Sequence, residues 1–189
     1  MKRLILTIIV TAAVAAPSSA IPVQQPGRER LDRIEQSLQA DVPRMLCVSD
    51  SLATGGQPSD QAFSKLAANG FRSVLNLRTA TEGVDLERER ALVEQSGMRY
   101  IHIPVAGSAP RAEQAEEFIR AVKDSANHPM LIHCGSANRV GAFMMIYRVV
   151  EQGWDEAKAE EEAVRIGLRS EELKKFAKEY IARTKGKKG

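Results

Sequence analysis

Short apolar runs alternate with stretches of helical periodicity along most of this chain. Five runs have the length and composition of strands, at residues 45–48, 52–54, 71–77, 98–105 and 130–133. Helical patterns cover residues 28–40, 59–69, 85–96, 110–125, 138–152, 155–166 and 170–183. Strands that alternate with helices form right-handed crossovers, so the chain predicts an α/β fold. We expect a central, mostly parallel sheet of four to five strands flanked by helices.

In sheets of this kind, ligands bind beyond the carboxyl ends of the strands. Three features fall at that end here: Arg78 follows one strand, the loop after Val105 follows another, and Cys134 follows a third. The pattern therefore predicts that they face a common site.

The first twenty residues have the features of a secretory signal peptide. Met1-Lys2-Arg3 is basic, residues 4–10 are apolar, and Ser18-Ser19-Ala20 has the small-x-small form of a cleavage site. An N-terminal anchor helix is the alternative, but the apolar run is shorter than the roughly 20 residues that span a bilayer. We therefore predict cleavage after Ala20, a periplasmic or secreted protein, and no stable membrane anchor.

The remaining chain predicts a lead and short helix at 21–44, one domain at 45–183 and a basic tail at 184–189. Loss of Lys2 and Arg3 lowers the formal charge from +3 to +1, so the mature protein is nearly neutral. No basic face with interleaved aromatic residues is present, and we predict no nucleic-acid partner. The histidines and cysteines lack the spacing of a zinc pair, so neither a metal nor a cofactor is predicted.

The segment Leu131–Ala142 combines a strand end, a cysteine, a small polar loop, an arginine and a helix start. A free thiol is only about 3% ionised at pH 7, but helix N-termini and nearby cations lower the pKa of a cysteine. Arg139 can bind two oxygens of a tetrahedral anion. Small residues let the backbone N–H groups wrap around such an anion. We predict Cys134 as the nucleophile and an anion cradle made by Arg139 with Gly135, Ser136, Ala137 and Asn138.

Other polar residues near Cys134 in the predicted fold have structural or functional interpretations. His133 precedes the cysteine on a strand, so it should point to the other face and orient the site from behind. Arg78 is either a second anion contact or part of a salt bridge, and Gln57 shapes a turn. Asp85 and Glu82 are either candidates for a general acid or solvated charges. Cys47 and Cys134 form a disulfide only if their geometry permits it.

Four sequence blocks resemble the cysteine-dependent protein tyrosine and dual-specificity phosphatases. The closer similarity is to a bacterial phosphatase-like group related to part of the beta-lactamase-hydrolase-like proteins, and it covers about residues 45–153. The resemblance implies a cysteine-phosphatase-like fold. It also implies a phosphocysteine on Cys134, phosphate binding by Arg139, and a phosphorylated protein or small molecule as substrate. The blocks are LATGGQPS (Leu52–Ser59), GFRSVLNLR (Gly70–Arg78), YIHIPV (Tyr100–Val105) and IHCGSANR (Ile132–Arg139).

Two departures from the larger phosphatase family keep other functions open. Four residues separate Cys134 from Arg139, where that family has five, and Val140 follows in place of a hydroxyl residue. The loop after Val105 reads Ala106-Gly107-Ser108 and lacks the family's aspartate acid. A phosphatase hydrolysing phosphate monoesters is our main prediction. A rhodanese-like sulfurtransferase and a non-catalytic oxyanion-binding module are the alternatives.

Overall fold

The structure is a computed structural model that describes residues 26–186. The predicted signal peptide, residues 1–20, and residues 187–189 of the predicted basic tail lie outside the described residues. Across residues 26–186, no helix combines the length and apolar character that a membrane span requires.

In the part of the chain that the structure describes, five strands form a single sheet in the order β1-β2-β5-β3-β4. The pairs β2–β5, β5–β3 and β3–β4 are parallel, and only the edge strand β1 runs antiparallel to its neighbour β2. This confirms the predicted mostly parallel sheet. The strands are β1 (Leu46–Cys47), β2 (Leu52–Gly55), β3 (Ser73–Asn76), β4 (Arg99–His102) and β5 (Met130–His133).

Within residues 26–186, seven α-helices cover the sheet. Several begin or end where the sequence signals place the boundary: Asp155 caps α6 by accepting hydrogen bonds from two backbone N–H groups, and Ser170 Oγ accepts one from Leu173 N. The helices are α1 (Pro26–Leu38), α2 (Asp60–Ala68), α3 (Leu86–Gln95), α4 (Ala112–Lys123), α5 (Asn138–Val150), α6 (Glu156–Ile166) and α7 (Glu171–Gly186).

Two apolar cores lie on opposite faces of the sheet. One face packs against α4, α5, α6 and α7 and buries alternate β5 residues, Met130 and Ile132. The other face packs against α1, α2 and α3 and buries Leu131 between them. Alternating strand side chains thus divide between two cores, as expected for a sheet covered on both sides.

Some elements are shorter than their sequence patterns indicate. The apolar run at 98–105 forms a strand only over Arg99–His102, although Ile103 N and Val105 N still donate to Asn76 O and Leu77 O at 3.0 and 3.1 Å. The regular ladder ends here because these donors, two residues apart, bond to the carbonyls of two adjacent residues. Pro104 lies between them, where its missing N–H falls on the open side of this edge strand. The helix predicted to run to residue 125 ends at Lys123, and a 3₁₀ turn, Ser125–Asn127, follows it.

Candidate active site

Cys134 lies at the carboxyl end of β5, at the base of an open cavity of about 610 Å³. Its side chain is only 1% exposed. The walls come from four places: the loops after β3, β4 and β5, and the start of α7. The lining residues are Thr79, Glu82, Ala106, Gly107, Ser108, Cys134, Ser136, Asn138, Arg139, Ser170, Glu172 and Leu173.

The loop from Cys134 to Arg139 is held at both sides. Gln57 N donates to Gly135 O at 3.3 Å, and Leu77 N donates to His133 O at 2.9 Å. Ala137 adopts a left-handed conformation with φ of 63° before α5 begins. A non-glycine residue in this region costs about 1 kcal/mol, and such strain is common at functional loops. The first N–H groups of α5 have no carbonyl partner within the helix, so they are available to an anion.

Arg139 is buried and its guanidinium is fixed by four acceptors. Nη1 donates to Leu77 O, Val105 O and Glu82 Oε1 at 3.1, 2.7 and 2.6 Å, and Nη2 donates to Glu82 Oε2 at 2.7 Å. A guanidinium has five N–H groups, so Nε–H and one Nη2–H remain for a ligand. Two such N–H groups of a guanidinium can donate to two oxygens of a tetrahedral anion.

Glu82 is itself held in place by a short 3₁₀ helix, Ala80–Glu82. Its Oε1 accepts from Thr79 N and Thr79 Oγ1 at 2.7 and 3.1 Å, completing a capping box. Burial alone would raise the pKa of Glu82, but the hydrogen bonds from Arg139 and Thr79 lower that pKa to about 2. Glu82 is therefore a carboxylate at neutral pH and positions Arg139.

Arg78 lies behind this pair and does not line the cavity. Its Nε donates to Glu82 Oε2 at 3.2 Å, and its Nη1 donates to Gln57 Oε1 at 2.8 Å. Of the two interpretations of Arg78, the structure shows the salt bridge, and its role as an anion contact stays a prediction. Gln57 does more than shape a turn, because its side chain joins Arg78 to a buried carboxylate.

That carboxylate is Glu89 of α3. It accepts hydrogen bonds from Gln57 Nε2 at 2.7 Å, Asn76 Nδ2 at 2.6 Å and His133 Nε2 at 3.0 Å. Burial alone would raise the pKa of Glu89, but the contact with His133 and the two amide donors lower it. His133 points away from Cys134, as its strand position predicts. A continuous hydrogen-bond network thus runs from His133 to Arg139. Its intermediate members are Glu89, Gln57, Arg78 and Glu82.

The first turn of α7 forms the outer wall of the cavity. Asn138 Oδ1 accepts from Arg169 N and Ser170 N at 2.8 and 3.2 Å, so a residue of the nucleophile loop fixes this wall directly. Asn138 therefore has a positioning role in addition to its predicted place in the cradle.

Two other sequence candidates lie outside the cavity. Asp85 is exposed, and its carboxylate accepts from Arg88 N at 2.9 Å as the N-cap of α3. Its role as a general acid stays a prediction. Cys47 belongs to the core on the face of the sheet opposite Cys134, and both cysteines are free thiols. Burial raises the pKa of Cys47 to about 12, so only Cys134 is placed to act as a nucleophile.

The sequence contains signals for Glu82 and Glu89, although it does not predict the residues that they contact. Thr79 and Glu82 have the spacing of a capping box, which fixes the Glu82 side chain beside the loop. Glu89 occupies the apolar stripe of α3 together with Val93, and an acidic residue in such a stripe must find buried donors. Neither signal identifies the long-range partner.

Comparisons with known proteins agree with this geometry. The "Beta-lactamase hydrolase-like protein" of Xylella fastidiosa (strain 9a5c) is 30% identical over 111 residues, which are 57% of this chain and 25% of that protein. "Dual specificity protein phosphatase TpbA" of Pseudomonas aeruginosa (strain UCBPP-PA14) is 34% identical over 97 residues, 49% of this chain and 44% of that protein. The matched segment is thus a quarter of the length of the first relative and less than half of the length of the second.

A solved structure from Shewanella putrefaciens CN-32, described as "Putative phosphatase (DUF442)", has the same fold. It superposes with a TM-score of 0.67 at 25% identity, over 78% of this chain and 97% of that one. A family model described as "DSP-PTPase phosphatase fused to NAD+ Kinase" matches residues 31–185. This match includes the nucleophile loop, Glu82, Glu89 and the wall from α7, so the chain belongs to this family of dual-specificity and tyrosine phosphatase-like domains.

Proposed function

We propose that this protein is a cysteine-dependent phosphatase that hydrolyses phosphate monoesters through a phosphocysteine on Cys134. One observation carries the proposal: Cys134 and Arg139 line the same cavity, and the protein acceptors of the Arg139 guanidinium leave two of its N–H groups for a ligand. A phosphoryl group bound by Arg139 and the start of α5 has its phosphorus next to the sulfur. The relative TpbA has been crystallised with phosphotyrosine, which supports an aryl phosphate as the first substrate to test.

The chemistry has two displacements. The Cys134 thiolate forms an S–P bond while the bond from phosphorus to the leaving oxygen breaks, and that oxygen takes a proton from water or an acid. A water molecule then attacks phosphorus, the S–P bond breaks, and the thiolate and inorganic phosphate are released. Arg139 and the loop N–H groups stabilise the charge on the equatorial oxygens in both transition states.

The test is hydrolysis of p-nitrophenyl phosphate by wild type, Cys134→Ser and Cys47→Ser. We expect activity in wild type and Cys47→Ser, inhibition by vanadate, and loss of at least a thousandfold in kcat for Cys134→Ser. Cys47 is a matched control because it is the other buried thiol. Equal activity in wild type and Cys134→Ser would reject the proposal. Thiocyanate release from thiosulfate and cyanide, without phosphate release, would favour the sulfurtransferase.

We propose further that the protein works in the periplasm or outside the cell. The support is the sequence of residues 1–20, with its basic start, apolar core and Ala20 cleavage site. Expression of the full chain in a Gram-negative host, followed by fractionation and N-terminal sequencing, tests this. A mature protein in the periplasm that begins at Ile21 is the expected result. An uncleaved protein in the cytoplasm would contradict it.

A further inference from the structure

The outer wall of the cavity carries a carboxylate that the proposed chemistry does not use. Glu172, in the first turn of α7, lines the same cavity as Cys134 and Arg139. Its Oε2 accepts a hydrogen bond from Ser170 Oγ at 2.7 Å, and its side chain is exposed to solvent. It therefore lies where the group attached to a bound phosphate would leave the cavity.

The charged surroundings of Glu172 differ from those of Glu82, the other acid lining the cavity. Glu82 forms ion pairs with Arg139 and Arg78, and their positive charges offset its own. The hydrogen bonds that Glu172 accepts from the Ser170 hydroxyl and from its own backbone lower its pKa, so it is ionised at neutral pH. Its hydrogen-bond partner Ser170 carries no charge.

The helix dipole alone does not account for Glu172. Acidic residues stabilise the first turn of a helix, but Glu171 precedes Glu172 in the same turn and provides that effect. Glu171 lies outside the cavity lining and pairs with Lys174 at 3.3 Å. The two adjacent glutamates thus belong to the same first turn of α7, but Glu172 lines the cavity and Glu171 does not.

We propose that Glu172 is a specificity-determining residue that favours phosphate monoesters with a positive charge near the phosphate. A phosphopeptide with arginine or lysine beside the phosphorylated residue fits this requirement, whereas a molecule with several phosphates does not. The inference rests on the proposed phosphatase function. Every substrate brings its reacting phosphate past Glu172, so discrimination comes from the neighbouring charge. For an exposed ion pair between Glu172 and the substrate, one positive charge on the substrate changes kcat/KM by about fivefold.

The test uses two phosphotyrosyl peptides that differ only at two positions beside the phosphotyrosine. These positions are arginines in one peptide and glutamates in the other. We expect wild type to prefer the arginine peptide by about five- to tenfold in kcat/KM at low ionic strength, and less at 0.5 M NaCl. Glu172→Gln should reduce the ratio below twofold. Glu171→Gln, the matched control, should keep the ratio of wild type.

Binding separates this inference from the proposed function. The same two peptides are titrated against Cys134→Ser, and against the double variant with Glu172→Gln, by fluorescence anisotropy. A charge preference in Kd that disappears in the double variant supports the role of Glu172 even if the wild-type protein proves to be inactive. Equal affinities for both peptides, or a preference that survives Glu172→Gln, would overturn it.

Discussion

Glu82 and Arg139 form a two-point ion pair, with Nη1–Oε1 and Nη2–Oε2 distances of 2.6 and 2.7 Å. The pair fixes the plane of the guanidinium and leaves Nε–H and one Nη2–H outside the ion pair. Because the carboxylate is also held by Thr79, the orientation of Arg139 depends on a turn that follows a different strand. The position of the phosphate-binding cation is therefore set by β3 and its loop as much as by α5.

Glu82→Gln should lower kcat/KM for p-nitrophenyl phosphate by about 10- to 100-fold. The amide keeps the shape of the side chain but turns an NH₂ group toward the guanidinium. Arg139 then loses its fixed position, and small displacements of a group that binds the transition state have large effects on rate. Steady-state kinetics provide the measurement. Glu87→Gln is the control, since Glu87 is exposed on α3 and, within residues 26–186, pairs with Arg90 alone. A change of less than twofold in Glu82→Gln would show that Arg139 does not need the pair.

The local part of this site is contiguous in the sequence. The strand end, Cys134, the small loop and Arg139 are adjacent in the chain, so the requirements of an anion cradle were visible directly. The partners of Arg139 were not, because Glu82 precedes it by 57 residues. Likewise Glu89 and His133 are 44 residues apart. A strand and helix pattern predicts which elements share a face, but it does not specify which polar side chains meet across them.

The pKa of Glu82 predicts how stability depends on pH. Its folded-state pKa is about 2, below the ordinary value of 4.5. A lowered carboxylate pKa stabilises the folded state above the unfolded-state value, so the contribution is complete above about pH 4.5 and is lost as pH falls toward 2. Because the Glu82 side chain is 27% exposed, solvent screening limits the effect to about 1–2 kcal/mol.

Urea unfolding of wild type and Glu82→Gln at several pH values measures this contribution. The difference in free energy of unfolding should be about 1–2 kcal/mol at pH 7 and should nearly vanish at pH 2. A difference that stays constant from pH 7 to pH 2 would mean that the carboxylate charge does not contribute.

Glu89→Gln should destabilise the protein by about 2–3 kcal/mol. Both oxygens of Glu89 accept hydrogen bonds, so either orientation of an amide places its NH₂ group against a donor. Gln57 cannot rotate to accept it, because Gln57 Oε1 already accepts from Arg78 Nη1. The measurement is urea unfolding at pH 7. Glu94→Gln on the exposed side of α3 should change stability by less than about 0.5 kcal/mol, and an equal effect of both variants would contradict the argument.

Asp85→Asn should change kcat/KM by less than twofold and leave the pH–rate profile unaltered. Asparagine caps a helix nearly as well as aspartate, and the Asp85 carboxylate is engaged by Arg88 N outside the cavity. The pH–rate profile of kcat/KM decides the matter. Loss of its basic limb in Asp85→Asn would support the prediction that Asp85 is the general acid.

Gly141→Ala should destabilise the protein, although alanine forms helices better than glycine by about 1 kcal/mol. A Cβ at Gly141 would lie 2.6 Å from Ala163 O and 2.9 Å from the Leu168 backbone nitrogen. These are backbone atoms of α6 and the segment after it, so relief requires α5 to move away, and overpacking of this kind costs several kcal/mol. Gly27→Ala in α1 is the control, because no atom of residues 26–186 lies within 4 Å of its Cβ position.

We expect Gly141→Ala to lower Tm by about 4–8 °C, which corresponds to a loss of about 2 kcal/mol for a domain of this size. Activity should fall with it, because a shift of α5 displaces Arg139 two residues earlier in the same helix. Gly27→Ala should leave Tm unchanged or raise it slightly. Thermal unfolding followed by circular dichroism measures both. A Gly141→Ala variant as stable as wild type would show that α5 and α6 can separate without cost.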